Sequence, residues 1–182
     1  ELQFRKPAIL DLLRASNEPI WAENRPVTLM WLVIDDTDGR RLPTDDDETQ
    51  LKQIVEANAA NRGLPIIWPL YDLQEQATVN VNALWSADAK AIEAASERYD
   101  ASGTLLGRLL ATSDGKWRVA WEYNFNGEST YSDSECEILD DCISDPIDAV
   151  AELLSSRYAL VSSDQGNVAK VKVVGVSSFE DY

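Results

Sequence analysis

The sequence predicts an α/β fold with a mixed sheet, in which parallel strand-helix-strand units are followed by antiparallel hairpins and helices pack on the sheet. Three observations predict it. Residues 27–34 form an unbroken apolar run, the pattern of a strand buried on both faces. Amphipathic helical segments separate this run from two further apolar runs, as in parallel sheets. Residues 117–125 then alternate apolar and polar side chains up to Asn126-Gly127, which is a strong hairpin signal.

Two helices are predicted in the first third of the chain, one on each side of the first strand. The first begins at Pro7 and ends near Asn17. The second follows an acidic loop, with Thr44 as its N-cap and Gly63 as its stop. Each helix has an apolar stripe at helical spacing. The stripes are Ile9, Leu12 and Leu13 in the first helix and Leu51, Ile54 and Val55 in the second.

Two more apolar strands follow, with a helix between them. Residues 65–73 form the second strand, and Pro69 places it at an edge or a bulge because proline cannot donate a hydrogen bond to a ladder. Ser86 caps the next helix, and residues 103–110 form the third strand. The apolar face of that helix carries Ile92, Ala95 and Tyr99.

Two features of the predicted sheet have both a structural and a functional interpretation. The alternating strand has an aromatic row on one side, which is core if the hairpin packs inward and a platform for a sugar or a peptide if it is exposed. The row consists of Trp117, Trp121, Tyr123 and Phe125, with Val119 among them. Arg108 is a charge inside the third strand; it either faces the solvated side or pairs with an acid, with a ligand anchor as the alternative.

The last part of the predicted domain is a return strand and a helix. The hairpin returns over residues 128–136, and Asp145 and Pro146 then have the N-cap and first-turn pattern of a helix. The apolar face of that helix is Ile147, Val150, Ala151, Leu154 and Tyr158. We expect a single α/β domain over residues 1–165. Residues 166–182 read as a strand, centred on 168–176, and the start of a further element that is cut short.

Composition and charge exclude several classes of protein. The chain has 32 acidic and 16 basic residues and a net charge of −16. Ten acids and no lysine or arginine fall between Val119 and Ser156. Such a surface repels nucleic-acid phosphates and anionic lipid, so we expect no nucleic-acid partner. No apolar run reaches the roughly 18 residues of a membrane span, so we expect no span in this chain.

The two cysteines, Cys136 and Cys142, lie six positions apart. Two thiols without any histidine are too few ligands for a structural zinc site, and no Cys-His pair is available for catalysis. A disulfide across this short loop fits an oxidising compartment, and two unpaired structural thiols are the alternative. We therefore take Cys136 and Cys142 as a disulfide candidate.

Three aspartates are the candidate ligands of a cation site. Asp35 and Asp36 end the first predicted strand and Asp72 ends the second. Ligands collect at the carboxyl ends of strands in open α/β sheets, and carboxylates suit Mg²⁺ or Ca²⁺. Against such a site, the sequence lacks histidine, the glycine-rich phosphate loops and a nucleophile elbow. We therefore predict no catalytic residue and no cofactor, and we expect these aspartates to lie in solvent.

Short motifs spread over most of the chain resemble the signature of one family. They are Asn24-Arg25-Pro26, Trp31-Leu32, Arg62-Gly63-Leu64-Pro65, Pro69, Asp72, Arg98-Tyr99, Leu106-Gly107-Arg108, Trp117, Trp121 and Arg157-Tyr158. That family is proteobacterial and is catalogued as domain of unknown function 2066. Where its members often have Gly-Ala-Asp after Arg-Tyr, this chain has Asp100-Ala101-Ser102.

The resemblance implies a location and a fold. Members of the family resemble exported envelope proteins with a leading signal peptide. The resemblance therefore implies that the precursor of this chain carries a signal peptide and is exported. The stretch from Arg98 to Arg108 is also similar, at the level of fold, to the amino-terminal domain of the Tol-Pal translocation protein and to lipoprotein activators of wall synthases. Those proteins are binding modules of the periplasm.

The function that we expect is non-catalytic. We expect the chain to be a periplasmic or otherwise exported module that binds or scaffolds an envelope protein through its sheet edge or a helical face. Two alternatives stay open. One is a cation-dependent hydrolase that uses the acids at the carboxyl ends of the strands, and the other is a carbohydrate-binding module that uses the tryptophans.

Overall fold

The computed structural model describes residues 5–21, 24–43 and 45–161 of the 182-residue chain. The elements, in chain order, are α1 (Lys6–Ala15), β1 (Pro19–Ile20), β2 (Thr28–Asp36), β3 (Gly39–Arg41), α2 (Asp45–Arg62), β4 (Ile66–Ile67), α3 (Leu73–Thr78), α4 (Val81–Trp85), α5 (Ala89–Ser96), a 3-10 helix (Glu97–Tyr99), β5 (Gly103–Ala111), β6 (Trp117–Phe125), β7 (Glu128–Cys136), α6 (Leu139–Tyr158) and β8 (Leu160–Val161). None of the helices in these ranges combines the length and the apolar character that a lipid bilayer requires of a crossing helix.

The chain divides into two compact units. The first contains Glu1–Ile20 and Ala159–Tyr182, and the second contains Trp21–Tyr158. In the first unit, β1 pairs antiparallel with β8, and α1 buries none of its residues. Of the apolar face predicted for this helix, Ile9 and Leu12 are exposed and Leu13 is half-buried. The predicted strand at 168–176 and the predicted cap Thr44 lie outside the described residues.

The sheet of the second unit is mixed. Its order is β3-β2-β5-β6-β7, and β4 also pairs with β2. Strands β2 and β5 run parallel, in register from Thr28 opposite Gly103 to Asp35 opposite Leu110. The pairs β2–β3, β5–β6 and β6–β7 are antiparallel. This architecture, with helices packed against it, confirms the predicted α/β fold class with a mixed sheet.

Strand β2 is central because its apolar run is buried on both sides. Residues from Thr28 to Ile34 are all buried, and alternate side chains enter two different clusters. Met30 and Leu32 pack with α2 and α6, whereas Leu29 and Trp31 pack with α4 and α5. The prediction of a doubly covered strand from this run is confirmed.

One side of the sheet, which we call the covered face, carries the main core. Residues of α2 and α6 lie over alternate side chains of β2, β5 and β6. Gly107 is required here because a Cβ at this position would lie 2.5 Å from the ring of Trp121 and 2.6 Å from Leu32. The predicted aromatic row belongs to this face: Trp121, Tyr123 and Phe125 are buried, and the hairpin interpretation of the row as core is confirmed.

The other side, which we call the open face, is only partly covered in the described part of the chain. Helices α4 and α5 pack over β2 and over Leu106 of β5. Beyond this point the same face of β6 carries Arg118, Ala120, Glu122 and Asn124, which are exposed or half-buried. The open face thus changes from core to solvated surface within the width of one strand.

The β6–β7 hairpin turns at Asn126 and Gly127, as predicted. Both residues have positive φ, +53° and +78°, which the type I′ turn requires and which these residue types tolerate. Phe125 pairs with Glu128 and Trp117 pairs with Cys136, so the two strands match over their full length.

The segment from Pro65 to Ser86 differs from its prediction. The predicted strand at 65–73 is limited to the two residues of β4, after which the chain forms α3 and α4. Apolar residues with prolines around them fit a packed loop as well as a strand, which explains the difference. Ser86 follows α4 as its C-cap, and Asp88 is the N-cap of α5, with Oδ1 accepting from the backbone N–H of Lys90 and Ala91.

Helix α6 begins earlier than predicted. It starts at Leu139, so Asp145 and Pro146 lie inside the helix and do not open it. The first turns bury Cys142 and Ile143 against the covered face, and this packing outweighs the hydrogen bond that proline removes.

Candidate functional site

Asp35 and Asp36 lie in a hairpin and not at a free strand end. Both belong to β2, which continues past the apolar run and pairs with β3. Asp35 faces Arg40 across the ladder, with 2.8 Å from Oδ2 to Nη2, and Asp36 accepts from Arg41 at 2.6 Å. The sequence analysis placed an acidic loop after the apolar run, whereas β2 continues to Asp36. The two arginines supply cross-strand partners that compensate for the low preference of aspartate for strands.

Asp72 has a different position from the one predicted. It is the N-cap of α3, where its Oδ1 accepts from the backbone N–H of Glu75 at 2.9 Å. Its Oδ2 accepts from Arg98 at 2.8 Å. The backbone N–H of Glu75, followed by Arg98, lowers the pKa of Asp72. Asp72 therefore acts on the start of a helix and does not mark the carboxyl end of a strand.

Glu75 is a buried carboxylate that sequence reasoning missed. Only 2% of it is exposed, and it accepts hydrogen bonds from the backbone N–H of Tyr71 and from the hydroxyl of Tyr99. Arg98 approaches it at 3.3 Å. Burial is the main cause that raises the pKa of Tyr99 to about 12, and its bond to Glu75 adds to it. The spacing of Asp72 and Glu75 is that of a capping box, which is a signal for the start of α3; Glu75 accepts here from the N–H of Tyr71, one residue before the N-cap.

The three candidate aspartates each have an arginine partner, and the structure does not group them. Among the described residues, no set of three or more Asp, Glu, Cys and His side chains is arranged to hold a metal ion. Asp35 and Asp36 are fixed by the β2–β3 hairpin, whereas Asp72 is fixed by α3 and Arg98. The ion pairs of Asp35 and Asp36 stabilise the β2–β3 hairpin, and that of Asp72 stabilises the start of α3.

Cys136 and Cys142 form a disulfide, with 5.9 Å between their Cα atoms. The bond joins the last residue of β7 to the first turn of α6. Nearby, Trp121 donates from its indole nitrogen to the carbonyl of Cys142 at 3.0 Å. The carboxyl end of β7 is therefore fixed to the helix that lies on the covered face.

Two clefts follow one another along β5 and β6 on the open face. The first, which we call the acidic cleft, has a volume of about 390 Å³ and lies between α5 and the sheet. Its floor includes Thr104, Leu106 and Asn124. Four acids and no lysine or arginine line it: Glu93, Glu97, Asp100 and Glu122. A positively charged group is the complement of such a cleft.

The second, which we call the arginine cleft, has a volume of about 520 Å³. Arg108 and Trp85 lie on one side, Ala120 on the floor, and Asp133 on the side of β7. Arg108 donates from Nη1 to the carbonyl oxygen of Trp85 at 3.2 Å. Arg108 therefore lies on the solvated side of the sheet, as one of the two structural interpretations predicted, and it is half-buried there.

Strand β7 is the free edge of the sheet in the described part of the chain. It pairs with β6 alone, and none of its nine residues is buried. Half of the backbone N–H and C=O groups of an edge strand point away from the sheet, which makes the strand a template for another chain. Its side chains include Glu128, Asp133 and Glu135.

Both ends of β7 are fastened to α6. The disulfide holds Cys136, and at the other end Glu128 accepts from Arg157 at 2.5 Å. A strand that is held at both ends keeps its outward hydrogen-bonding groups in one geometry. The edge, the acidic cleft and the arginine cleft together form the candidate functional site.

The comparisons with known proteins assign no family. No family model matches the chain, and no curated protein matches it. Among solved structures, the amino-terminal domain of Thermus thermophilus Protein Y is similar over 71% of this chain and 94% of its own, with 12% identity and a TM-score of 0.34. An uncharacterised protein is similar over 74% of this chain and 97% of its own, with 11% identity and a TM-score of 0.27. These weak likenesses carry no argument about function.

Proposed function

We propose that this chain is a non-catalytic, protein-binding module of the periplasm, and that it binds an extended, basic segment of another envelope protein along β7. The observation that carries the proposal is that β7 is a free edge of the sheet in the described part of the chain, with none of its nine residues buried and both of its ends joined to α6. An added strand forms main-chain hydrogen bonds with such an edge, and alternate side chains supply specificity.

The fastening of β7 favours binding. An unattached edge strand loses conformational freedom when a partner adds to it, which lowers the affinity. The disulfide at Cys136 restricts that freedom before the partner arrives. The ion pair between Glu128 and Arg157 is exposed to solvent and adds a smaller restraint. Main-chain hydrogen bonds then contribute to affinity with a smaller entropic cost.

The charge of the surface indicates a basic partner. Ten acids and no basic residue lie between Val119 and Ser156, which includes most of β6 and all of β7. The acidic cleft lies beside this hairpin on the open face. A second copy of the chain would place Glu128 and Asp133 against a surface of the same sign, and charged edges oppose such pairing. A lysine- or arginine-bearing strand has no such repulsion.

Two observations support a periplasmic location. The disulfide between Cys136 and Cys142 is a bond that persists in oxidising compartments. The motifs shared with the envelope family catalogued as domain of unknown function 2066 point the same way, as a resemblance. The absence of histidine and the use of Asp35, Asp36 and Asp72 in ion pairs with arginines support a non-catalytic role.

The test is a selection followed by amide exchange. A display library of random twelve-residue peptides is selected on the immobilised, oxidised protein, and one enriched peptide is synthesised. We expect enriched peptides to alternate β-branched residues with lysine or arginine. Bound peptide should slow hydrogen exchange at the outward amides of β7, because a new strand satisfies them.

Two variants with the same change of charge distinguish binding at this site from general electrostatic attraction to an acidic protein. Glu122→Gln in the acidic cleft should weaken the peptide by roughly threefold at low salt. Glu152→Gln on the exposed side of α6 should leave the affinity unchanged. Enrichment of acidic peptides, or binding that leaves the β7 amides unprotected, would refute the proposal.

A further inference from the structure

Arg108 differs from the other arginines around its cleft. Arg118 pairs with Glu135 at 2.8 Å, and Arg40 pairs with Asp35 at 2.8 Å. Arg108 forms no ion pair with any acid whose side chain the structure describes. The charge of Arg108 is therefore held in place without a counterion from the described protein.

The hydrogen bonds of Arg108 are also incomplete. Nη1 donates to the carbonyl oxygen of Trp85, while Nε is enclosed and has no hydrogen-bond partner. Most enclosed polar groups in proteins are paired, so this exception requires an explanation. The side chain of Arg108 also lines a cleft of about 520 Å³.

Asp133 is placed opposite Arg108 across a small residue. The ladder sets Arg108 of β5, Ala120 of β6 and Asp133 of β7 in one row on the open face. Two strand spacings separate the ends of this row, about 10 Å between Cα atoms. Asp133 likewise has no ion pair among the described residues. Ala120 keeps the space between the two charges empty.

We propose that the arginine cleft binds a small zwitterion of the free amino acid or short peptide class, with its carboxylate on Arg108 and its ammonium on Asp133. A guanidinium matches a carboxylate with two parallel donors. Asp133 and Glu135 on the far side disfavour a doubly charged phosphate and favour an ammonium. Trp85 and Leu110 supply apolar walls for the aliphatic part of the ligand.

This inference is independent of the strand-addition proposal. It concerns a small molecule in the arginine cleft, whereas the partner segment lies on the outer edge of β7. One proposal can therefore fail while the other stands, because the first is read from backbone exchange in β7 and the second from side-chain signals in the cleft.

The test is an NMR titration of the full chain with three probes. L-alanyl-L-alanine carries both charges, N-acetyl-L-alanyl-L-alanine carries the carboxylate alone, and L-alanyl-L-alaninamide carries the ammonium alone. We expect the zwitterion to bind with a Kd on the order of 1 mM and to shift the Nε–H signal of Arg108 and the indole signal of Trp85. The acetylated probe should bind about tenfold more weakly, and the amide more weakly still.

Matched variants assign the two charges. Arg108→Gln should weaken the zwitterion at least about tenfold. Arg62→Gln removes the same charge from an arginine that pairs with Asp148 and does not line the cleft, so it should change Kd by less than about threefold. Asp133→Asn should bring the zwitterion to the affinity of the acetylated probe and leave the acetylated probe unchanged. Ala120→Leu, which fills the floor and touches no charge, should abolish binding of both.

The melting temperature of each variant shows whether it is folded. Arg108→Lys replaces Arg108→Gln if the latter does not fold. The lysine keeps the charge without the paired donors and should give intermediate affinity. No saturable shift for the zwitterion up to about 50 mM, or equal binding by the wild type and the Arg108 variant, would overturn the proposal.

Discussion

The two faces of the sheet are built from the same strands and have opposite properties. On the covered face, α2 and α6 lie over β2, β5 and β6, and the side chains of Trp121, Tyr123 and Phe125 are buried. On the open face, α4 and α5 cover β2 and part of β5, and β6 and β7 are left to solvent in the described part of the chain.

Strand β6 shows what separates the two faces. Its odd-numbered residues from Val119 to Phe125 complete the core, and its even-numbered residues form the walls of both clefts. Because side chains alternate along a strand, one sequence can satisfy a requirement for stability on one face and a requirement for recognition on the other. Changes at adjacent positions should therefore have effects of different kinds.

The largest expected effect tests this directly at two neighbouring positions. Trp121→Ala should lower the free energy of unfolding by about 3–5 kcal/mol, because it leaves a cavity in the core and removes the donor to the carbonyl of Cys142. Glu122→Gln should change it by less than about 0.5 kcal/mol. Urea unfolding of both variants measures the difference, and similar losses from the two would remove the distinction between the faces.

A smaller effect is expected from loss of the disulfide, which joins β7 to α6. Cys136→Ala with Cys142→Ala should cost about 2 kcal/mol, since the closed loop is short and cross-linking restricts the unfolded chain only moderately. The amides at the carboxyl end of β7 should also exchange faster, because the edge loses one of its two attachments to α6. Thermal unfolding and hydrogen exchange of the oxidised wild type and the double variant measure both effects. Unchanged exchange in β7 would show that the disulfide does not hold the edge.

Most of the fold could be predicted because it follows from local periodicity. The run in β2, the alternation in β6 and the Asn126-Gly127 turn each have a physical cause that acts over a few residues. The prediction was wrong where tertiary packing decided the outcome. Helix α6 includes Pro146 because Cys142 and Ile143 are buried ahead of it, and β4 is short because the following loop packs without a ladder.

Less of the candidate site could be predicted, because it depends on which strands are neighbours. Arg108 and Asp133 are 25 positions apart in the sequence, and only the β5–β6–β7 register puts them in one row. The free edge could not be predicted either, since nothing in residues 128–136 indicates that β7 pairs with one strand alone in the described part of the chain. The three aspartates could be identified from the sequence one by one. Their pairing with arginines could not, because it depends on the β2–β3 hairpin and on the position of α3.

The smallest expected effect on stability at neutral pH comes from two tyrosines, one near each face of the sheet. Burial raises the pKa of Tyr99 to about 12 and also raises that of Tyr123 in the covered face. Above pH 10 the unfolded chain loses these protons before the folded chain does, so stability is complete below about pH 10 and declines as the pH rises towards 12. Tyr99→Phe and Tyr123→Phe should each flatten that decline in urea unfolding between pH 9 and 12.

Because the hydroxyl of Tyr99 also donates to Glu75 and accepts from the N–H of Leu70, only Tyr99→Phe should in addition speed the exchange of the Leu70 amide. An unchanged alkaline slope for Tyr99→Phe would mean that its hydroxyl is hydrated in the folded chain.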